Sequence, residues 1–347
     1  MTRSPTIPDR PVPLVCVWEL TLACNAACEH CGSDAGHARS QELSTKEALD
    51  VVAQLAGMGC TIVTLSGGEP LLRHDWFEIA VAIRSAGMKI DLITNGLAAC
   101  AQAERIGAAG FESVSFSIDG PPEVHDSLRG AGALRRALDG AAALRRQGVR
   151  IGAVTQVNQR NLGELSATHD LLAHAHFEGW QIQLTLPTGR TPKSICLGPE
   201  AIAGLEEQVV RAVSQGRMHV IAADTIGWYG RNEPLLRTGN RSGTKVWAAC
   251  QAGLQAVAIT SDGTVRGCLA MPAEFDEGNL RSQSLATIWS APGAFSYNRG
   301  FERASLRGAC ASCELGGICR AGCTCMAWLA TGTTVDNPYC TRLQVRT

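Results

Sequence analysis

From about residue 14 to residue 190 of this 347-residue chain, short β-branched runs alternate with longer amphipathic stretches. The runs VCVWELT (15–21), TIVTLS (61–66), MKIDLIT (88–94), SVSFSI (113–118), VRIGAVTQV (149–157) and WQIQLTL (180–186) are nearly all apolar, the pattern of strands in a sheet covered by helices. Between them, apolar positions recur at helical spacing. The segment STKEALDVVAQLAGMG opens on Ser44 with Glu47 three residues on, a capping box, and ends at Gly57 and Gly59. Further helices are expected near 74–86, 98–108, 131–147 and 162–175. Six strand–helix units imply parallel strands joined by right-handed crossovers. With no strong seventh or eighth unit, the expected fold is α/β: a partial (β/α)6 TIM-like barrel with its chemistry at the strand ends.

After Pro187 the pattern changes. AIAGLEEQVVRAVSQG (201–216) reads as one more amphipathic helix, and 217–246 as a connector containing glycine and tryptophan. From Cys250 onward cysteines recur every few residues and periodicity weakens. The expected division is a barrel core (14–190), a connecting helix and linker (191–246) and a loop-rich, metal-stapled module (247–347). That last segment has little apolar core of its own, so a metal would have to hold it.

Composition narrows the function classes. The chain is 45% hydrophobic and 18% charged, with a formal net charge of −1 and no basic or acidic block. Nucleic-acid and membrane-surface roles therefore get no electrostatic support. The start, MTRSPTIPDRPVP, lacks the apolar core of a secretory signal, and no run of about 18 apolar residues could span a bilayer. A cytoplasmic protein is expected. Fifteen cysteines then change the picture. An odd count, no export signal and dense clustering argue against a disulfide scaffold and for metal ligation.

Cys24, Cys28 and Cys31 follow the first strand, at the mouth of the expected barrel. A structural zinc site needs four closed ligands, whereas a cubane cluster on three cysteines leaves one iron free for a small-molecule chelate. Further on come LSGGEPLL after the second strand, ITNGL after the third, SFSIDGPPEVHDSLRG after the fourth and TQVNQRN ending the fifth. Paired glycines such as Gly67 and Gly68 let backbone groups approach a ligand closely. An Asp after a strand, as at Asp119, is also a common turn former.

The CxxxCxxC spacing, with these segments at successive strand ends, resembles the radical S-adenosylmethionine (SAM) superfamily over residues 14 to 190. The resemblance implies that the amino and carboxylate groups of SAM take the free iron of a 4Fe–4S cluster on Cys24, Cys28 and Cys31. It implies SAM contacts from the GGEP turn (Gly67, Gly68, Glu69 and Pro70), Thr94 and Asn95, then Ser117, Asp119 and Arg129, with Gln156 and Asn158 as polar groups in the barrel. His30 stands where the family usually has an aromatic residue, and Gln183 and Thr185 are weaker candidates.

The run Cys250-x12-Gly263-x4-Cys268, Cys310-x2-Cys313-x5-Cys319-x3-Cys323 and Cys340 resembles the SPASM auxiliary-cluster domain. Zinc remains an alternative on softness alone. The resemblance implies two further 4Fe–4S clusters, an outer one on Cys310, Cys313, Cys319 and Cys340, and an inner one on Cys250, Cys268 and Cys323. For the inner fourth ligand, Cys325, Cys196, a non-cysteine group or an open iron all stay possible. Trp228, Tyr229, Asp224 and Trp247 are read as packing between modules, and Cys16, Cys60 and Cys100 as buried, inert thiols.

The implied activity is a radical SAM peptide maturase. It would cleave SAM reductively to a 5′-deoxyadenosyl radical, abstract hydrogen from a peptide side chain or α-carbon, and install a carbon–carbon or thioether crosslink. A sulfatase-type formylglycine maturase or a peptide epimerase is the alternative within enzymes, and an iron–sulfur electron-transfer protein the alternative outside them. Expected partners are a precursor peptide and a flavodoxin or ferredoxin type reductant. Because only about 13 residues precede the first strand, too few for a domain with a core of its own, leader binding is expected to use the core surface or a separate leader-recognition protein. No general base or hydrogen donor can be assigned.

Overall fold

The computed structural model describes residues 11–239 and 246–344; residues 240–245 of the expected connector lie outside them. Seven parallel strands run in chain order: β1 (Val15–Thr21), β2 (Ile62–Gly67), β3 (Lys89–Thr94), β4 (Ser113–Ser117), β5 (Ile151–Val157), β6 (Gly179–Leu184) and β7 (His219–Ala222). Between and after them lie helices α1 (Thr45–Gly57), α2 (Trp76–Ser85), α3 (Ala103–Ala109), α4 (Pro122–Arg129), α5 (Ala133–Arg146), α6 (Leu165–His174) and α7 (Ile202–Ser214). Strands β8 (Ala256–Ile259), β9 (Thr264–Arg266) and β10 (Gly278–Asn279) come from the cysteine-rich segment. All ten form one sheet in the order β10-β9-β8-β1-β2-β3-β4-β5-β6-β7. The fold is a partial parallel barrel, open between its two edge strands.

Local sequence accounts for the six expected strands. Their apolar side chains reach a single core that includes Trp18, Leu65, Ile90, Phe116, Val154's neighbour Ala153 and Trp180. The capping box at α1 forms on both sides: Ser44 Oγ accepts from the Glu47 amide at 3.3 Å, and the Ser44 amide donates to Glu47 Oε2 at 2.8 Å. Helix α4 was hidden by the Pro121-Pro122 pair, which reads as a turn. Proline is tolerated at a first helical position, where its missing N–H would have no partner anyway, and the structure places Pro122 there.

Four strands go beyond the expected six. β7 and β8 are only four residues each, β9 three and β10 two, too short for alternation to register. β8 pairs with β1 in parallel, Val15 opposite Ala256 through Trp18 opposite Ile259, so the cysteine-rich segment continues the barrel sheet. A charge network centred on the buried Glu19 fastens the same junction. Glu19 on β1 accepts from Arg39 Nε at 3.0 Å and from both the amide and the hydroxyl of Ser261, just past β8. The helix expected at 98–108 begins only at Ala103, and residues 98–102 form turns, which corrects the reading of Cys100: its thiol group lies at the surface, whereas Cys16 and Cys60 are buried. Among the described residues, no helix is long and apolar enough to cross a membrane.

Candidate functional site at the barrel mouth and the cysteine-rich segment

The C-terminal ends of the strands surround a cavity of about 220 Å³. Cys24, Cys28 and Cys31 line one side, carried by the loop that leaves β1. Of the residues expected to contact SAM, Gly67, Gly68, Thr94, Asn95, Ser117, Arg129 and Gln156 line it as well. Glycine is required at the β2 turn. A Cβ on Gly67 would fall 2.3 Å from Thr21 O, at a φ of +133°, and one on Gly68 would fall 2.3 Å from Ala23 O. The turn is thus pressed against the start of the cysteine loop, and its amides donate to Thr21 O and Ala23 O, Gly68 N at 2.8 Å and Glu69 N at 2.8 Å.

Glu69, Pro70, Asp119 and Asn158 are not among the lining residues. Glu69 is fully buried and ties the β2 turn to the end of β3: its carboxylate accepts from Thr94 Oγ1 at 2.9 Å, Asn95 N at 2.8 Å and Leu71 N at 3.3 Å. Burial pushes its pKa up to about 7 despite those donors. Asp119 is also fully buried, and its carboxylate is occupied. Oδ1 accepts from Gln156 N at 2.9 Å, while Oδ2 takes Arg129 Nε at 2.5 Å and lies 2.8 Å from His30 Nε2. Although burial opposes ionisation most strongly, Arg129 and His30 together hold this carboxyl well below the usual range. Asn158 shapes the loop after β5, with its side-chain oxygen accepting from Arg160 N at 2.9 Å.

Two features had no signal in the motifs. His125 Nδ1 accepts from the Asp119 amide at 3.1 Å, and burial brings its pKa down to about 4, so it stays neutral. The segment Thr188-Gly189-Arg190 straps the cysteine loop from outside. Arg190 Nε donates to Cys28 O at 2.9 Å and Nη2 to Ala35 O at 2.5 Å, while a Cβ on Gly189 would meet Cys31 O at 2.5 Å. A glycine–arginine pair after the sixth strand was the available clue. Gln181 and Gln183 on β6 join Gln156 in the cavity wall.

The trio fits an iron–sulfur cluster with a small polar ligand. Burial pushes the Cys24 and Cys28 thiols up, and the Arg129 guanidinium, with Nη1 3.8 Å from Cys28 Sγ, offsets this by favouring the thiolate. Three thiols, a glycine cradle and polar groups from successive strands share one cavity, which leaves room beside the thiols for a ligand on the fourth corner.

The C-terminal cysteines fall into two sets. Cys310, Cys313, Cys319 and Cys340 surround a cavity of about 40 Å³, closed on one side by Trp228 and Asn337. Trp228 packs on Trp247 with ring centroids 6.3 Å apart, and a Cβ on Gly322 would strike the Trp228 ring at 2.6 Å. Trp247 Nε1 donates to Cys319 O at 3.3 Å, and Tyr229 donates its hydroxyl to Trp247 O. These aromatic residues are packing groups. Cys250, Cys268 and Cys323 form the second set; burial and the neighbouring thiols raise the Cys268 pKa to about 11 and push that of Cys323 up as well. Cys196 lies apart, in a small groove with Leu184, Met326 and Tyr339. Among the described residues, no three His, Cys, Asp or Glu converge tightly enough to hold a single metal ion.

Comparison with known proteins shows which chains this one resembles. The Radical SAM superfamily matches residues 18–172, and the SPASM iron–sulfur cluster-binding domain matches residues 250–314. An AdoMet-dependent heme synthase of Methanosarcina barkeri is 32% identical over 343 residues, covering 94% of this chain and 96% of that protein. A mycofactocin maturase, MftC, of Mycobacterium tuberculosis is 32% identical over 337 residues, covering 94% and 82%. In fold, Streptococcus suis SuiB bound to precursor peptide SuiA superimposes with a TM-score of 0.74 at 17% identity, covering 94% of this chain and 75% of SuiB.

Proposed function

The chain belongs to the radical SAM superfamily and carries a SPASM iron–sulfur domain, and from that premise we propose that it is a peptide maturase whose net reaction is oxidative. The single observation that carries the reading is the barrel cavity, where the thiol trio meets the glycine turn and the polar ends of β3, β4 and β5. The cluster and SAM, when bound, supply one-electron cleavage of SAM and a carbon radical able to take hydrogen from unactivated carbon. The protein's own contribution is placement. Cys24, Cys28 and Cys31 would hold the cluster, and Gly67, Gly68, Thr94, Asn95 and Ser117 would hold SAM beside it. Arg129 keeps positive charge near Cys28 while Asp119 keeps Arg129 in position. The two C-terminal cysteine sets would carry two auxiliary clusters that accept the electron left over when a bond closes.

The cavity wall supports a peptide. Gln156, Gln181 and Gln183 are neutral amides that donate and accept as a peptide backbone does. The mycofactocin maturase supports the same class. A second reading, a tetrapyrrole substrate, draws on the heme synthase at equal identity. A carboxylate-bearing macrocycle calls for cations, yet Arg160 and Arg190 beside the cysteine loop already pair with Glu29 and Asp34.

The test uses anaerobically reconstituted protein with SAM and dithionite. Release of 5′-deoxyadenosine is expected, and none would overturn the reading. The same mixture with a candidate precursor peptide, sought among short reading frames beside its gene, should give a product lighter by two hydrogens; an unchanged peptide together with conversion of an added porphyrin would favour the tetrapyrrole.

A further inference from the structure

Cys325 lies beside all three cysteines of the inner set. Three separate segments, 250–252, 267–270 and 323–325, converge around it through contacts that the cysteine spacing does not reveal. Gly267 touches the first segment, since a Cβ there would fall 2.9 Å from the Ala252 Cβ. Asn298, almost fully buried, bridges the first and third: its Nδ2 donates to Ala252 O at 2.8 Å, and its Oδ1 accepts from Thr324 Oγ1 at 3.0 Å. Thr324 stands between Cys323 and Cys325. The third segment closes on the second through Cys325 itself, whose thiol donates to Ala270 O at 3.0 Å, two residues past Cys268.

Cys325 is 2% exposed and lies in the first turn of the helix Thr324–Thr331, whose N-cap is Cys323. A second observation points to a bound group at the same place. The Tyr297 hydroxyl is buried beside the Gly267 amide, which can only donate to it, and has no acceptor for its own proton among the described residues. It sits where a side chain at position 267 would be, next to Cys268. A buried phenol lacking an acceptor is costly, and cluster or cysteinyl sulfur would serve as that acceptor.

We propose that Cys325 is the fourth protein ligand of the inner auxiliary cluster, completing a four-cysteine set with Cys250, Cys268 and Cys323, and that the Tyr297 hydroxyl donates to sulfur there. This rests on the reading of the C-terminal segment as a two-cluster domain. Cys196, which also had the chemistry to serve, is placed in a different groove. A cluster closed by four cysteines has no iron free for substrate and passes electrons only.

The experiment reads clusters rather than turnover. The full-length Cys24→Ala/Cys28→Ala/Cys31→Ala variant, reconstituted anaerobically, isolates the auxiliary clusters and should hold about eight irons per chain if there are two. About four irons would overturn the two-cluster reading itself, independently of Cys325. Given eight, the EPR spectrum of the reduced protein should not change when imidazole or cyanide is added, because no iron is open. Adding Cys325→Ala, or Cys325→Ser if the alanine variant fails to fold, should make one of the two signals respond to those ligands and let mild oxidation convert that cluster to a three-iron form. A response already present with Cys325 intact, or none after its replacement, would overturn the assignment. Tyr297→Phe should shift the potential of the same signal without altering iron content, and an unshifted potential would remove the hydrogen bond from the proposal.

Discussion

The two ends of the chain use cysteine in opposite surroundings. At the barrel mouth, three thiols face a cavity of about 220 Å³ whose other walls are polar strand ends. Around Cys310, Cys313, Cys319 and Cys340, four thiols enclose about 40 Å³ with a tryptophan against them. Ligand number and free space vary together. Three cysteines with room beside them suit a cluster that must admit a small molecule, whereas four with little room suit one that only exchanges electrons. The backbone follows the same division. The first site hangs on a loop pinned to the ends of an extensive sheet, and the second is wrapped by short turns that depend on their own side-chain contacts.

The comparison breaks most sharply in activity. Replacing Cys28 with Ala should abolish 5′-deoxyadenosine formation, at least a thousandfold, because removing a ligand of the cluster removes the electron donor. Cys310→Ala should leave reductive cleavage of SAM within a few-fold of the parent and stop product formation. Liquid chromatography of 5′-deoxyadenosine and product from the same reactions separates the two. If Cys310→Ala lost SAM cleavage as completely as Cys28→Ala, the two sites would not be functionally distinct.

Next in size is the charge beneath the first site. Asp119 neutralises Arg129 in a place closed to water, with side-chain exposures of 0% and 9%. Asp119→Asn keeps the shape but strands the guanidinium, a change that costs about 3–5 kcal/mol in buried pairs. Thermal or urea unfolding should show that loss in the protein before any effect on SAM affinity is considered. A variant of unchanged stability and weakened SAM binding would return Asp119 to the role of a direct SAM contact. The sign with pH is also set. A carboxyl held below its ordinary range contributes stability that is fully present above the unfolded value near 4 and is lost only as pH falls through the lower folded value.

Glu69 gives a smaller effect of opposite sign. Its folded pKa, about 7, lies above the unfolded value, so its contribution is complete below about 4.5 and is lost as pH rises through 7. Glu69→Gln removes that dependence, yet turns an amide NH2 toward donors from Leu71, Thr94 and Asn95, at a cost of about 1–3 kcal/mol. Melting temperature across this range should therefore fall with rising pH in the parent and stay flatter in a lower-melting variant. Parallel curves would mean that Glu69 is ionised throughout.

Much of this was legible beforehand, for identifiable reasons. Strands β1 to β6 announced themselves because each buries two or more apolar side chains, and the cysteine positions carried their own chemistry. What the chain concealed depends on distance in three dimensions. β8 is four residues whose partner, β1, lies some 240 positions away in sequence. Asp119 sits in a motif that suggests a ligand contact, but only the fold shows His30, Arg129 and the Gln156 amide already occupying its oxygens. Cys100 lies in the turns before a helix that starts only at Ala103, and it is exposed, whereas Cys16 and Cys60 are buried.

The finest distinction concerns how the open site keeps its thiols in place without a fourth cysteine. Arg190 does this from the end of β6, through one planar guanidinium that donates to Cys28 O, Ala35 O and, at 3.2 Å, Asp34 Oδ1. Lysine keeps the charge but not the fork. Because the side chain is about one-third exposed, Arg190→Lys should cost only about 1 kcal/mol in urea unfolding. Its clearer effect should be on the cluster. Visible absorbance of the Cys310→Ala/Arg190→Lys protein should bleach several-fold faster under an iron chelator than that of Cys310→Ala alone, with added SAM slowing the loss by bracing the same loop from inside. Equal bleaching rates would show that the β2 turn, through its amide contacts to Thr21 and Ala23, restrains the loop without help from outside.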